Sequence, residues 1–105
     1  MYEYTANVIK IVDGDTVYCD FDLGFGVILK TQVIRLARIN APEMSVLEGK
    51  QSKEYLSNHL LNKQVVIRTI KDKKEKYGRF LGEIFLGEIN INDLLVQQGL
   101  AKHYG

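Results

Sequence analysis

The chain has 105 residues, 46% hydrophobic and 26% charged, a balance that suits one globular domain over 1–105 and excludes both a second domain and a disordered chain. Its net charge of +1 is unevenly spread: residues 1–45 carry 4 basic and 6 acidic side chains, residues 46–79 carry 9 and 4, and residues 80–105 carry 1 and 3. An acidic start beside a basic middle suits a cation site next to a polyanion-binding rim, although on charge alone Lys71, Lys73, Lys74 and Lys76 read first as a solvated loop.

In chain order, Val8-Ile9-Lys10-Ile11-Val12 is a β-branched run that stops at the turn signal Asp13-Gly14-Asp15. Val17, Cys19, Phe21 and Leu23 then alternate with polar residues as a half-buried second strand. Gly24-Phe25-Gly26 turns the chain into a third strand, roughly Val27 to Ile39, which Asn40-Ala41-Pro42 ends because proline cannot continue a ladder. From about Glu48 to Leu61 the pattern is helical, with Ser52, Tyr55, Leu56, His59 and Leu60 on one side and Asn62 as a stop. Val65 to Arg68 is a fourth strand and Arg79 to Leu86 a fifth. A short helix from Asn92 to Gln98 follows, capped by Asn90 or Asn92 and stopped by Gly99. Five strands with one helix after the third predict an α+β fold, a small Greek-key barrel of the oligonucleotide-binding (OB-fold) type.

No apolar run approaches the ~18 residues of a membrane-crossing helix, so no membrane association is expected. The opening Met1-Tyr2-Glu3-Tyr4-Thr5 lacks the basic-then-apolar plan of a leader, which predicts a cytoplasmic location, or secretion if an export signal has been removed. The single Cys19 forms no intramolecular disulfide and reads as a small core side chain.

The residues able to do chemistry are carboxylates and arginines. Asp13 and Asp15 flank Gly14, a pairing that suits a hard cation such as Ca²⁺ but is also ordinary turn composition. Arg35 stands in the otherwise apolar Val33-Ile34-Arg35-Leu36-Ala37, where a guanidinium needs an anion: an aspartate in a buried pair, or a phosphate. Glu43 follows Pro42; beside a metal and a phosphate it could orient or deprotonate water. Arg79, after Lys76-Tyr77-Gly78, would enter from the rim, and Tyr77 is either a rim anchor or a base-stacking ring. His59 and His103 have no metal-ligand spacing. With no glycine-rich phosphate loop, Cys/His cluster or serine nucleophile, the kit points to metal-assisted attack of water on phosphorus.

Four segments in colinear order, Val8 to Thr16 (VIKIVDGDT), Arg35 to Glu43 (RLARINAPE), Tyr77-Gly78-Arg79 and Gln98 to Lys102 (QGLAK), resemble the staphylococcal nuclease, or thermonuclease-like, family. The resemblance implies the same five-stranded barrel and a Ca²⁺-dependent nuclease that cuts DNA and RNA with little sequence preference, leaving 3′-phosphate ends. It implies metal ligation by Asp15, with Asp13 nearby, Asn40 where the family has a second aspartate, and the Ala41 carbonyl. Glu43 matches the general base or water-positioning carboxylate, and Arg35 and Arg79 match the phosphate-holding arginines. Lys76 and Tyr77 match the nucleotide-contacting rim, and Tyr104 is a candidate for a substrate-contacting tyrosine. Asn40 departs from the family, removing a charge that Asp13 or Asp20 would have to replace, so a catalytically weak nucleic-acid-binding module is the alternative. The chain also stops at Gly105, short of the family's long C-terminal helix, which leaves a surface for self-association as an expectation.

Overall fold

The computed structural model describes residues 2–70 and 78–104. Among the described residues, eight strands and two helices follow in the order β1 (Tyr2–Asp13), β2 (Thr16–Asp22), β3 (Ile28–Leu36), β4 (Ile39–Asn40), α1 (Leu47–Leu60), β5 (Gln64–Thr69), β6 (Phe80–Leu86), β7 (Ile89–Asn90), α2 (Ile91–Gln97) and β8 (Lys102–His103). The five long strands form the expected barrel: a sheet ordered β3-β2-β1-β5-β6 closes on itself through a parallel pairing of β3 with β6, Ile34 opposite Phe80 and Leu36 opposite Gly82. Closure leaves no edge along that stretch and places the end of β3 against the start of β6.

β1 begins at Tyr2, six positions before the β-branched run that announced it, because Tyr2 to Asn7 pair with β5 across the sheet rather than by their own periodicity. Two irregularities in its pairing with β2, between Val8 and Lys10 and between Ile11 and Asp13, insert an extra residue each. These bulges bend β1 and explain why its buried residues, Ala6, Val8 and Ile11, break strict alternation. A third irregularity lies where Thr31 takes φ +55° and donates its N–H to Asp20 Oδ1 at 2.7 Å. Asp20 is thus committed to this bulge and to Lys30 at 3.6 Å. It lies four residues along β2 from Thr16, about 13 Å at ~3.3 Å per residue, too far to replace a charge beside Asp15.

The core is aliphatic: Val8, Val17, Ile34, Leu36, Ile39, Leu56, Leu60, Ile67, Ile84, Ile91 and Leu95 are fully buried. Cys19 joins them, and burial, helped by the Asp20 charge, pushes its thiol up to about 12, as an inert core side chain requires. Helix α1 buries Gly49, Ser52, Leu56 and Leu60, one stripe at helical spacing; Tyr55 and His59 flank it half-buried, their rings stacked at 4.2 Å. Asn62 ends the helix with φ +63°, and its N–H is received by the Val8 carbonyl at 2.9 Å.

The expected third strand, Val27 to Ile39, is interrupted. Ala37 and Arg38 turn the chain, Arg38 with φ +66°, before β4 resumes. The turn is held by its side chain: Arg38 forks onto Glu83 at 2.6 and 2.7 Å and reaches Asp93 at 2.8 Å. Of the two cap candidates Asn90 is the cap, receiving the Asp93 N–H at 3.1 Å. Asn92 is fully buried and donates to the Ala37 and Gly82 carbonyls while receiving the Ile84 N–H.

Burial pushes the Glu83 carboxyl upward, but hydrogen bonds from Arg38 and Asn90 and the Arg38 charge outweigh it, so the group sits below its ordinary 4.5. The unfolded chain then binds this proton more readily. The stability Glu83 contributes is complete above 4.5 and is lost as pH falls through its lower folded value. Glu83→Gln is expected to flatten the acid limb of the urea-melt stability curve below pH 4.5; a limb of unchanged slope would show the pair contributes nothing there.

Candidate functional site

The site is built where the β1–β2 turn, the end of β3 and the β4 exit meet. Arg35 lies opposite Thr16 in the β2–β3 pairing and opposite Leu81 in the β3–β6 pairing. Its neighbours Ile34 and Leu36 point into the core, so alternation turns Arg35 to the outer face of the barrel. There its side chain is only 14% exposed. One terminal nitrogen donates to the Leu36 carbonyl at 2.7 Å; the other lies 3.3 Å from both Asp15 Oδ2 and Asn40 Oδ1. The 2.7 Å bond orients the guanidinium, and the two 3.3 Å contacts hold its other nitrogen more weakly.

Asp15 is nearly buried, 7% exposed, at the tip of the turn. Its backbone N–H is received by Asp13 Oδ1 at 3.0 Å, an Asx turn, and its carbonyl accepts from Leu36 N–H at 2.8 Å. Of its carboxylate oxygens, Oδ2 accepts from Ala41 N–H at 2.8 Å and Oδ1 from the Thr16 hydroxyl at 3.2 Å. Burial raises its pKa, the adjoining Asp13 carboxyl raises it further, and the Ala41 N–H and Arg35 charge only partly offset them. Asp15 thus links the turn, β3 and the β4 exit, and it is a carboxylate short of positive charge.

Asn40, Ala41 and Glu43 lie along one short segment leaving β4. Asn40 is exposed except for its Arg35 contact, Ala41 is half-buried, and Glu43 is exposed. Asn40 pairs with Lys102 of β8, and both line a cleft of about 500 Å³ with Pro42, Glu43 and Leu100. Arg79 is half-buried immediately before β6, two residues ahead of Leu81, the β6 partner of Arg35. Asp15, Arg35, Asn40 and Ala41 are therefore linked by direct contacts, and Glu43 shares the cleft with Asn40 and Ala41. Tyr104 is 66% exposed and held by its backbone N–H to the Arg38 carbonyl at 2.8 Å. Lys76 and Tyr77 lie outside the described residues.

The atoms at this position able to ligate a metal are oxygens: the Asp13 and Asp15 carboxylates and, across Arg35, the Asn40 amide. Two acids crowded at a buried position, with Asp15 held back from ionising, fit a hard divalent cation whose charge would relieve that crowding. The set is sparse in charge, for no group of three or more His, Cys, Asp or Glu converges among the described residues.

Sequence reasoning did not single out Arg38, Glu83 or Gly49, and it read Ser52 only as part of a helix face and Asn92 only as a possible cap, although all five position this region. The signals were a polar residue on a buried helix face (Ser52, Asn92) and a glycine in the first turn of a helix (Gly49).

The model of the family described as "Staphylococcal nuclease homologue" matches residues 33–105. The chain belongs to the staphylococcal nuclease family. It is similar to a thermonuclease of Staphylococcus hyicus, 32% identical over 106 residues that cover 95% of this chain and 59% of that protein. It is similar to an uncharacterized endonuclease of Haemophilus influenzae, 40% identical over 95% of this chain and 52% of that protein, and to a micrococcal nuclease of Shigella flexneri, 29% identical over 98% and 62%. The chain thus spans a little over half the length of these relatives. The barrel expected from the resemblance is the family fold, and the VIKIVDGDT and RLARINAPE segments form the contacting turn and strand exit.

Proposed function

We propose that this chain is a metal-dependent nuclease that hydrolyses phosphodiester bonds of DNA or RNA with little sequence preference, using Ca²⁺ and leaving 3′-phosphate ends. The observation that carries the reading is Arg35: a largely covered guanidinium, fixed at one nitrogen and loosely held at the other, beside a pair of aspartates.

In this reading the loosely held nitrogen of Arg35 exchanges Asn40 for a non-bridging phosphate oxygen. Glu43, exposed on the neighbouring loop, orients water and takes its proton as the water oxygen adds to phosphorus. Arg79, two residues before the Leu81 that pairs with Arg35, neutralises charge on the five-coordinate phosphorus before the bond to the 5′-oxygen breaks. Asp15, Asp13, the Asn40 amide oxygen and the Ala41 carbonyl would hold the cation. When bound, it supplies Lewis-acid neutralisation of the phosphate. Lys76, Tyr77 and Tyr104 are proposed as substrate contacts at the rim. Such groups address phosphate rather than base edges, hence the weak sequence preference.

The test is cleavage of plasmid and single-stranded DNA with Ca²⁺ or with EDTA. Cleavage that EDTA abolishes supports the reading; binding without cleavage under any metal supports the second one, a nucleic-acid-binding module, which the neutral Asn40 favours. Restoring the charge with Asn40→Asp is expected to tighten Ca²⁺ binding about tenfold, or ~1.4 kcal/mol, by isothermal titration calorimetry. An unchanged affinity would remove Asn40 from the cation's contacts.

A further inference from the structure

We infer that Gly49 is a positioning residue for Glu43, an inference that rests on the nuclease reading above. Gly49 is the third residue of α1 and is buried. A Cβ built on it would lie 2.8 Å from the Pro42 carbonyl oxygen, 2.5 Å from the Glu43 carbonyl carbon, and closer still to the Glu43 carbonyl oxygen. These are backbone atoms, not the ends of flexible side chains. The helix therefore packs its bare Cα directly against the two peptide groups that carry the Glu43 side chain.

Neither partner can easily give way. On the helix side, the Ser52 hydroxyl one turn later reaches the Leu100 carbonyl at 2.5 Å, tying α1 to the segment before β8. A Cβ on Gly14 would sit 2.7 Å from both Ala41 Cβ and Ser52 Cβ, so the Asp13-Gly14-Asp15 turn already closes on the helix and the loop together. On the loop side, Ala41 N–H is held by Asp15 Oδ2 at 2.8 Å, while the Glu43 carbonyl receives Val46 N–H at 3.2 Å. Ala41, Pro42 and Glu43 are thus clamped between turn and helix, with the Ala41 end anchored. A methyl at position 49 would push outward the end that carries Glu43.

Helix propensity argues the opposite way. Alanine is the better helix former, and no positive φ protects this glycine, so local structure alone would favour Gly49→Ala. The close approach of the loop overrides that preference. A displacement of ~1 Å in a water-positioning group can cost on the order of a hundredfold in rate.

The test uses Gly49→Ala, Glu43→Gln and the double variant on single-stranded DNA with Ca²⁺, together with amide hydrogen exchange at Val46 and Ile84. Gly49→Ala is expected to lower kcat about 10- to 100-fold while KM changes less than about threefold. Val46 should exchange at least about tenfold faster as its bond to Glu43 breaks, with the barrel amide Ile84 unchanged. The double variant should be no slower than Glu43→Gln alone, since the effect runs through Glu43. A full additional loss in the Glu43→Gln background overturns the inference, as does an unchanged Val46 exchange. Unfolding of Gly49→Ala, seen as rapid exchange at Ile84, also overturns it, because the strain would then have reached the barrel instead of staying in the loop. A wild-type chain that cuts nothing sinks the nuclease reading separately, and the exchange arm still decides whether Gly49 seats the loop.

Discussion

Arg35→Ala is expected to lower kcat/KM on single-stranded DNA by at least about 10²–10³, the usual cost of removing one preorganised donor from a charge-developing centre. The loss should fall mainly on kcat if Arg35 acts in the transition state, and equally on KM if it also holds the ground-state phosphate. The same change removes a cation 3.3 Å from Asp15, which is already held back from ionising by burial and by Asp13. Asp15 keeps its Ala41 and Thr16 hydrogen bonds, so the stability cost should be about 1–3 kcal/mol rather than that of an orphaned charge. Arg35→Lys separates charge from shape. A lysine restores the charge but cannot bond the Leu36 carbonyl and two carboxyl or amide oxygens from one plane, so it should recover stability better than rate. Steady-state cleavage and urea melts on both variants check this, and an alanine variant within threefold of wild type would remove Arg35 from the reaction.

The largest expected effect on folding comes from a residue outside the chemistry. Asn92→Ala should destabilise the chain by about 3–5 kcal/mol, since it leaves the Ala37 and Gly82 carbonyls and the Ile84 N–H without this partner in a fully buried position. Against the ~5–15 kcal/mol typical of a whole domain, that is a large share. Asn92 bridges the Ala37–Arg38 turn to β6 one residue beyond the Leu36–Gly82 pair that closes the barrel. Loss of the bridge should therefore loosen Arg35 and Arg79 together, and cleavage should fail at a lower temperature than in the wild type. A urea-melt change below about 1 kcal/mol would show that the carboxamide is replaceable. Asn92→Asp should be worse than alanine, because it turns a donor facing two carbonyls into a third acceptor.

Much of the barrel was legible because its strands are set off by β-branched runs and turn signals, and in β2 Cys19 and Phe21 face inward where alternation put them. The first six residues of β1 were not legible, for they are strand only through pairing with β5. The break in the third strand was hidden because Arg38 is an ordinary surface residue in sequence; its left-handed backbone is stabilised by Glu83 and Asp93, 45 and 55 positions away. The readings of Asp-Gly-Asp as turn and as acid pair proved compatible, since Asp13 closes the turn while crowding Asp15. Arg35 likewise has the aspartate partner anticipated for a buried pair, at 3.3 Å.

The sequence by itself determined the strand and helix alphabet, the family, and the residue types on offer: carboxylates and arginines, with no thiolate, imidazole cluster or phosphate loop. These follow from local periodicity and composition, which each segment carries alone. Only the tertiary structure decided which of those groups meet. The β2–β3 pairing sets Arg35 beside Asp15, barrel closure sets it opposite Leu81, and the bare backbone of Gly14 and Gly49 lets turn and helix grip the Ala41–Glu43 segment from both sides. Contacts of that kind join residues distant in sequence through steric fit and burial, and no single segment encodes them.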